Sequence, residues 1–343
     1  MPIKRVQQAI EDIKHGKMVV MIDDEDRENE GDLVYAATFS TPEHVNFMAT
    51  EAKGLICVAI SKDIAERLKL QPMVQHNDSQ HETAFTVSVD AREATTGISA
   101  FERDMTIKLL ASPISTPEDL VRPGHIFPLI AKEGGVLVRT GHTEGSVDLC
   151  RLAGLAPSAV ICEIMREDGQ MARRDDLEVF AKKHGLNIVY ISDLVEYRLR
   201  NERLVRLEGE EIIDFFDTKV EKRVFTDHQG KRHTALIFYK LHETENVKFH
   251  NIGRDVDLFL NQHRYRQLVH SIDYLKHNGG VVVFVDADDA VSGGDTMKEY
   301  GIGAQILSEL GIKNIRLLVS SKGREFVGLG GFGLDIVEEI EVQ

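Results

Sequence analysis

Hydrophobic and polar positions along the chain alternate in short blocks that predict strands separated by helices. Residues 18–22 and 33–37 are apolar runs typical of buried strands, whereas Val6, Ala9 and Ile13 recur at helical spacing. Further predicted strands of the first half are residues 55–60, 84–89, 136–138, 159–164 and 188–191, with a turn at 122–125. Further predicted helices cover residues 41–54, 65–70, 99–110, 143–155, 175–183 and 192–203, with caps at Thr41, Ser99, Asp175 and Ser192.

This alternation predicts an α/β fold (mixed α+β) in which helices cover a mixed sheet. In the second half we predict strands around Ile212, Val224 and Leu236 and at residues 281–285 and 315–319, helices over 265–277 and 296–310, and a glycine-rich turn at 292–294. Between the halves, residues 198–209 are dense in charge and lack an apolar stripe. Because 343 residues exceed one ordinary core, we expect two domains, residues 1–203 and 204–343.

Composition excludes several classes of protein. The apolar fraction of 42% and the charged fraction of 28% are typical of a soluble globular protein. No apolar run reaches the roughly 20 residues of a membrane span, and the N-terminus lacks the apolar segment of a signal peptide. The net charge of −15 argues against nucleic-acid binding. Cys57, Cys150 and Cys162 are scattered in apolar stretches, so we expect buried free thiols and a cytoplasmic location.

One acidic stretch interrupts the alternation. Residues 23–32 read Asp-Asp-Glu-Asp-Arg-Glu-Asn-Glu-Gly-Asp and carry seven carboxylates between two predicted strands. Such a run is most often a solvated surface segment. Here both ends are fixed, so the carboxylates would repel one another, which raises their pKa values unless a cation is bound. Oxygen ligands favour Mg²⁺ or Mn²⁺. An EF-hand is excluded, because Asn29 stands where that calcium loop requires glycine.

Four pieces of the first half carry groups that could do chemistry. They are Glu28 with Asp32, His125 in its turn, residues 139–143 at a predicted strand-to-helix junction, and Glu163 in an apolar strand. Each has a structural alternative: a structural histidine, a helix cap, or an acid at a solvated rim. Taken together, a helix start with Arg139 suits a phosphate, and His142 can join Glu28 on a metal. A buried Glu163 would have a raised pKa and could transfer protons.

Four segments resemble motifs of the 3,4-dihydroxy-2-butanone 4-phosphate synthase family. They are residues 23–32, 96–99 (Thr-Gly-Ile-Ser), 122–129 (Arg-Pro-Gly-His-Ile-Phe-Pro-Leu) and 139–144 (Arg-Thr-Gly-His-Thr-Glu), and the resemblance covers residues 1 to about 200. It implies a riboflavin-biosynthesis lyase that converts D-ribulose 5-phosphate to L-3,4-dihydroxy-2-butanone 4-phosphate and formate. It also implies Mg²⁺ and a homodimer, formed through the N-terminal domain, with sites near the subunit contact.

The resemblance also implies roles for individual residues. Glu28 and His142 would be the metal ligands, and the reaction would require His125 and Glu163. The substrate would contact Arg27, Glu28, Asp32, Arg139, Thr140, Gly141, His142, Thr143 and Glu163. We further expect Asp32 or Glu163 to accept the proton next to the carbonyl, and His125 to act as a general acid. The family usually has small residues and Asp-Arg after residue 99, whereas this chain has Phe101, Glu102 and Arg103.

The second half resembles the end of GTP cyclohydrolase II. The resemblance rests on residues 300–307, 310–311, 315–318 and 328–334. That family opens GTP with a zinc ion held by three cysteines, but no cysteine follows Cys162. The acidic residues 286–290 would repel a triphosphate. We therefore expect an inactive domain without zinc. The alternatives are a bifunctional enzyme and a noncatalytic metal-dependent assembly or regulatory protein.

Overall fold

The chain folds as two units. The computed structural model describes residues 2–25, 27–79, 83–286, 295–319 and 334–342, and for residues 295–300 only the backbone. The units are Met1–Tyr197 and Arg198–Gln343, each with its own sheet. The division falls slightly before residue 203, where the sequence places the domain boundary.

The first unit contains a mixed sheet covered by helices, as predicted. Its strands are β1 (Val19–Ile22), β2 (Gly31–Ala36), β3 (Cys57–Ile60), β4 (Val89–Ala91), β5 (Leu120–Ile130), β6 (Ser158–Glu163) and β7 (Asn187–Tyr190). Its helices are α1 (Pro2–Lys14), α2 (Pro42–Phe47), α3 (Lys62–Arg67), α4 (Ala100–Ala111), α5 (His142–Leu152), α6 (Arg174–His184) and α7 (Ile191–Asn201). The strand order is β4-β5-β3-β6-β2-β1-β7. The pairs β1–β7 and β3–β5 are parallel, and the others are antiparallel.

The two faces of this sheet have different roles. Leu33 and Tyr35 of β2 lie in the apolar core cluster, together with residues of α2, α3, α4 and α6. Because side chains alternate along a strand, Asp32 points to the opposite face. Helix α5 packs against β2, β3 and β6. Its first residue, His142, lies 4.0 Å from Asp32, so α5 covers the face that carries the acid.

The predicted strand at residues 136–138 is wrong. Gly135–Leu137 form a 3-10 turn instead. Gly134 and Gly135 have positive φ angles of 91° and 63°, which disrupt an extended chain. The buried Asp148 carboxylate accepts a hydrogen bond from the Val136 N–H at 2.8 Å. A short apolar run does not by itself distinguish a strand from a buried turn.

Two neighbouring assignments around β4 and β5 also need correction. Residues 122–125, predicted as a turn, lie within β5. They bulge from the pairing with β4, because Val89 pairs with Ile126 while Asp90 pairs with Val121. In the predicted strand 84–89, Phe85 and Thr86 make only isolated bridges, and β4 begins at Val89.

Helix ends shift by small amounts. The Thr41 side chain caps α2 with Pro42 in its first turn, as predicted. The helix continues as a wider turn, Met48–Ala52, and ends at Lys53, whose φ is 70°, and not at Gly54. Helices α3, α6 and α7 begin slightly earlier than the sequence predicts, and Arg173, not Asp175, precedes α6 as its cap.

The second unit also pairs a mixed sheet with helices. Its described strands are β8 (Val205–Phe215), β9 (Thr218–Asp227), β10 (Arg232–Phe238), β11 (Thr244–Ile252), β12 (Gly280–Asp286), β13 (Asn314–Val319) and β14 (Asp335–Glu341), and its helices α8 (Asp255–Leu260), α9 (Gln262–Asn278) and α10 (Asp295–Glu309). The strand order is β14-β13-β11-β12-β10-β9-β8. The sequence interpretation missed β11, α8 and β14. The predicted turn at 292–294 and acidic residues 287–290 lie outside the described residues.

The predictions for the cysteines and for membrane-spanning segments can be compared with the structure. Cys57, Cys150 and Cys162 are buried free thiols, as predicted. Among the described residues, no helix combines the length and apolar character needed to cross a membrane.

Gly124 lies where the backbones of β4 and β5 pack closely, so a substitution there tests this packing. A Cβ atom there would lie 2.0 Å from the Val89 carbonyl carbon and 2.2 Å from the Asp90 nitrogen. Because backbone cannot move aside like a flexible side chain, we expect Gly124→Ala to destabilise the protein by at least about 2 kcal/mol, measured by urea unfolding. Gly209→Ala is the control, since nothing lies within 4 Å of its Cβ position. Equal stability of the two variants would contradict this packing.

Candidate active site

The acidic segment is the connection between β1 and β2. Ile22 pairs with Gly31, so residues 23–30 form a loop whose two ends are held in the sheet. Of this loop, Asp26 lies outside the described residues. The structure therefore agrees with the expectation of a loop fixed at both ends.

Asp23 organises the loop from inside. Its side chain is completely buried. It accepts hydrogen bonds from Arg27 Nη1 at 2.9 Å, from the Glu28 N–H at 3.1 Å and from the Glu30 N–H at 2.8 Å. These bonds turn the chain so that Glu28 points toward α5. The sequence analysis did not single out Asp23, because a run of seven acids gives no sign of which one lies inside.

Glu28 and His142 converge. His142 Nδ1 lies 3.6 Å from Glu28 Oε2, and His142 Nε2 lies 4.0 Å from Asp32 Oδ1. His142 is 6% exposed, and its Nε2 has no hydrogen-bond partner. Within the described part of the chain, Asp23, Glu28 and His142 form the one group of three or more acidic, histidine or cysteine residues whose potential metal ligands all lie within 4.8 Å of one another.

The donor set suits a hard divalent ion. Carboxylate oxygen and imidazole nitrogen are both ligands of Mg²⁺ or Mn²⁺, and the buried Nε2 without a partner would gain one. Asp23 already accepts three hydrogen bonds, so we assign it to loop organisation and leave Glu28 and His142 as the stronger ligand candidates.

Burial sets the protonation of this cluster. It raises the pKa of Asp32 to about 7, against the opposing effect of His142. For His142, burial alone would lower the pKa, but the carboxylates of Asp32, Glu28 and Asp23 outweigh it and raise the pKa to about 9. Burial and Glu28 also raise the pKa of Glu30. The buried imidazole is thus held as a cation among acids when no metal is bound.

Strand order places the other candidates near one another. Asp32 of β2 lies opposite Glu163 of β6. His125 of β5 is two strands from Glu163, because β3 lies between β5 and β6, and neighbouring strands are about 4.8 Å apart. Just before β3, the Leu55 N–H donates to Glu163 Oε2 at 2.8 Å and helps to hold this carboxylate.

His125 has a carboxylate partner that the sequence did not reveal. Asp90 Oδ2 lies 2.7 Å from His125 Nδ1, and Asp90 Oδ1 accepts the His125 N–H at 2.8 Å. The imidazole is 45% exposed, whereas the carboxylate is 10% exposed. Asp90 therefore orients the ring and leaves Nε2 for other contacts. The partner was missed because it lies on another strand, 35 residues away in the chain.

The segment before α5 is more rigid than its sequence implies. Arg139 Nη1 donates to Glu144 Oε2 at 2.6 Å, and Glu144 Oε1 accepts the Lys132 N–H at 2.9 Å. Gly141 precedes the first helical residue, and Thr143 is buried in the first turn. Arg139 therefore lies at a helix start, as expected, although part of its guanidinium group already pairs with Glu144.

The unusual Glu102 stabilises its own loop. Its carboxylate accepts hydrogen bonds from the Thr95 backbone and hydroxyl at 2.5 and 2.7 Å and from the Gly97 N–H at 3.0 Å. These contacts lower the pKa of Glu102 to about 2. Phe101 is strongly exposed. The two departures from the family pattern thus have different consequences: Glu102 orders the turn and Phe101 faces outward.

Comparison with protein families gives two matches. Residues 7–197 match the family model of 3,4-dihydroxy-2-butanone 4-phosphate synthase, and residues 240–341 match that of GTP cyclohydrolase II.

Similar proteins span both units. A 3,4-dihydroxy-2-butanone 4-phosphate synthase of Wolinella succinogenes is 57% identical over 100% of this chain and 98% of its own. One from Sulfurospirillum multivorans is 61% identical over 99% and 95%. The riboflavin biosynthesis protein RibBA of Bacillus subtilis is 42% identical over 98% and 93%.

Solved structures agree with these matches. RibBX of A. baumannii, a two-domain 3,4-dihydroxy-2-butanone 4-phosphate synthase, has a TM-score of 0.84 and 40% identity, covering 99% of this chain and 100% of its own. A 3,4-dihydroxy-2-butanone 4-phosphate synthase in complex with two magnesium ions has a TM-score of 0.56 and 42% identity, covering 57% and 97%.

The coupling of His142 to Asp32 can be tested by titration. In the metal-free protein we expect an NMR pKa near 9 for His142. Asp32→Asn removes a negative charge that favours the imidazolium, so the pKa of His142 should fall by about one unit or more. Asp63→Asn, a change on the exposed surface of α3, is the control. An unchanged His142 titration in Asp32→Asn would contradict the proximity of the two groups.

Proposed function

Because the chain belongs to the 3,4-dihydroxy-2-butanone 4-phosphate synthase family, and is a lyase of riboflavin biosynthesis, we propose that its first unit acts at the site around Glu28 and His142. There it converts D-ribulose 5-phosphate to L-3,4-dihydroxy-2-butanone 4-phosphate and formate. The observation that carries the assignment is the 3.6 Å approach of these two side chains, which are far apart in the sequence.

Glu28 and His142 would hold a Mg²⁺ or Mn²⁺ ion. The buried His142 Nε2 without a partner and the neighbouring Glu28 carboxylate support this ligand pair. The magnesium ions in the similar solved structure support a divalent metal for the family. When bound, such an ion supplies a Lewis acid for the carbonyl of the ketose.

Asp32 is our assignment for the base that removes the proton next to the carbonyl. Burial raises its pKa, which favours a carboxylate that can accept a proton and return it. Glu163 lies opposite it in the strand pairing and is placed to take part in the later proton transfers. Together the two acids would serve the enolisation and the skeletal rearrangement.

His125 is the general acid that assists loss of the C1 hydroxyl as water. The Asp90 carboxylate at 2.7 Å from Nδ1 orients the ring and leaves Nε2 to face the substrate. The strand order, with Glu163 next to Asp32 and His125 two strands from Glu163, supports their action on one small substrate.

The start of α5 would bind the phosphate. Helix N-termini attract anions through their free N–H groups and dipole. The hydroxyls of Thr140 and Thr143 provide donors there, Gly141 has no side chain to obstruct an anion, and Arg139 adds charge from one side. Arg27, which pairs with Asp23 and Glu28, completes the substrate contacts from the acidic loop.

The functional form would be a cytoplasmic homodimer built through the first unit. Ile98, Phe101 and Met105 are exposed at helical spacing along and just before α4, and a second copy would cover them. The buried free cysteines support a reducing compartment. The net charge of −15 supports a small-molecule substrate and no nucleic-acid or membrane partner.

The second unit would not open GTP. It contains no cysteine for the zinc site of that reaction, and we propose that it binds no zinc. Its match to the GTP cyclohydrolase II family model over residues 240–341 favours the alternative of a bifunctional enzyme. The two proposals differ in one measurable product.

Formate release separates these functions. The purified full chain with Mg²⁺ should release formate from D-ribulose 5-phosphate and none from GTP. Glu28→Gln should lower kcat/KM for the sugar phosphate at least about 100-fold, because it removes a metal ligand. Formate from GTP would support the bifunctional alternative, and no formate from the sugar phosphate would overturn the proposal.

The Asp90–His125 pair predicts a second kinetic effect. Asp90→Asn should lower kcat about 10- to 100-fold, since the His125 ring loses the carboxylate that orients it. The measurement is kcat for formate release from D-ribulose 5-phosphate. Asp63→Asn is the surface control. An unchanged kcat in Asp90→Asn would show that His125 does not need Asp90 for its role.

A further inference from the structure

Arg173 contacts the outside of the acidic loop. Its Nη1 donates to the Glu28 carbonyl at 2.7 Å and to the Asn29 carbonyl at 2.5 Å. The same nitrogen lies 3.8 Å from Glu30 Oε1. Asn29, at the centre of these contacts, has a positive φ of 55°. The arginine thus binds the loop where its backbone takes a conformation that side chains disfavour.

The peptide groups of Glu28 are held from both sides. Asp23 accepts the Glu28 N–H from inside the loop, and Arg173 donates to the Glu28 carbonyl from outside. Hydrogen bonds that involve a charged group are stronger than neutral ones. Two side chains of opposite charge therefore fix the backbone from which the Glu28 carboxylate extends.

The position of Arg173 is itself tied to the sheet. The preceding residue, Ala172, is buried and donates its N–H to the Ile164 carbonyl at 3.0 Å. Ile164 directly follows Glu163, the last residue of β6. The Arg173 N–H donates to Asp176 Oδ2 at 3.1 Å at the start of α6. Arg173 thus connects the Glu163 end of β6 to the Glu28 loop.

We propose that Arg173 is a positioning residue that holds Glu28 in place for the metal ion. This inference rests on the proposed function, in which Glu28 is a metal ligand. Without Arg173 the loop would spend part of its time with Glu28 turned away. The apparent metal affinity falls in proportion to the fraction of molecules that remain ready to bind.

Arg174, the next residue and the first of α6, provides a matched control. It also contacts the loop, through Glu25 Oε1 at 2.9 Å, and it lies over the Tyr190 ring. That ion pair joins two exposed side chains and holds no backbone group. Exposed pairs of this kind contribute little. Arg173→Ala and Arg174→Ala therefore remove the same charge beside the same loop. Only Arg173→Ala removes the hydrogen bond to the Glu28 carbonyl.

The test measures Mn²⁺ binding by electron paramagnetic resonance of the free ion, with the full chain. We expect Arg173→Ala to bind about tenfold more weakly than the wild type, the scale of one charge-assisted hydrogen bond. Arg174→Ala should stay within about twofold. Arg173→Lys, which keeps the charge and some donor capacity, should fall between them. It also carries the test if the alanine variant fails to fold.

Two further measurements separate positioning from general damage. At saturating metal, kcat of Arg173→Ala should recover, so that the loss appears in the metal activation constant. Amide exchange at Glu28 and Glu30 should be faster in Arg173→Ala and unchanged in Arg174→Ala. A kcat that stays low at saturating metal would overturn the positioning role.

The Glu28→Gln variant distinguishes a failure of the Arg173 proposal from a failure of the proposed metal site. If Glu28→Gln loses Mn²⁺ binding while Arg173→Ala remains within twofold of the wild type, the inference about Arg173 is wrong. An equal loss in Arg174→Ala would also overturn it. If Glu28→Gln binds Mn²⁺ like the wild type, the proposed metal site itself fails.

Discussion

The site depends on keeping several acids and one imidazole out of water. Asp32 and His142 are almost fully buried, and an isolated charge at either position would be costly. Each therefore needs the other, and the excess of negative charge around His142 needs a cation. This requirement explains why β2, α5 and the acidic loop meet at one place. It also explains why the loop uses Arg27 and Arg173 to counter its own charge.

The sequence was sufficient for the architecture of the first unit because most of its strands are short apolar runs. Residues 18–22 and 159–164 could be recognised as buried strands from composition alone. Residues 136–138 look the same, but two glycines with positive φ and the Asp148 carboxylate turn them into a 3-10 segment. The local hydrophobic pattern cannot show that a carboxylate from α5, later in the chain, accepts a hydrogen bond from this segment.

The candidate site shows the same limit. The prediction that Glu28 approaches His142 came from residue types and from a family resemblance, and the structure brings the two together. Asp23, Asp90 and Arg173 were not predicted. Each acts through hydrogen bonds to backbone or to another candidate, and such support leaves no mark in spacing or composition. The sequence shows which groups can react, but it does not show which neighbouring groups hold them in position.

The pairing of Asp32 on β2 with Glu163 on β6 means that the site is encoded in strand alignment as well as in residue identity. A single residue inserted between Asp32 and Leu33 of β2 would turn Asp32 to the face that carries Leu33 and Tyr35. An acid would then enter the apolar layer that surrounds Tyr35. Variation in the length of these strands is therefore constrained more tightly than variation in the loops, even where every reactive residue is retained.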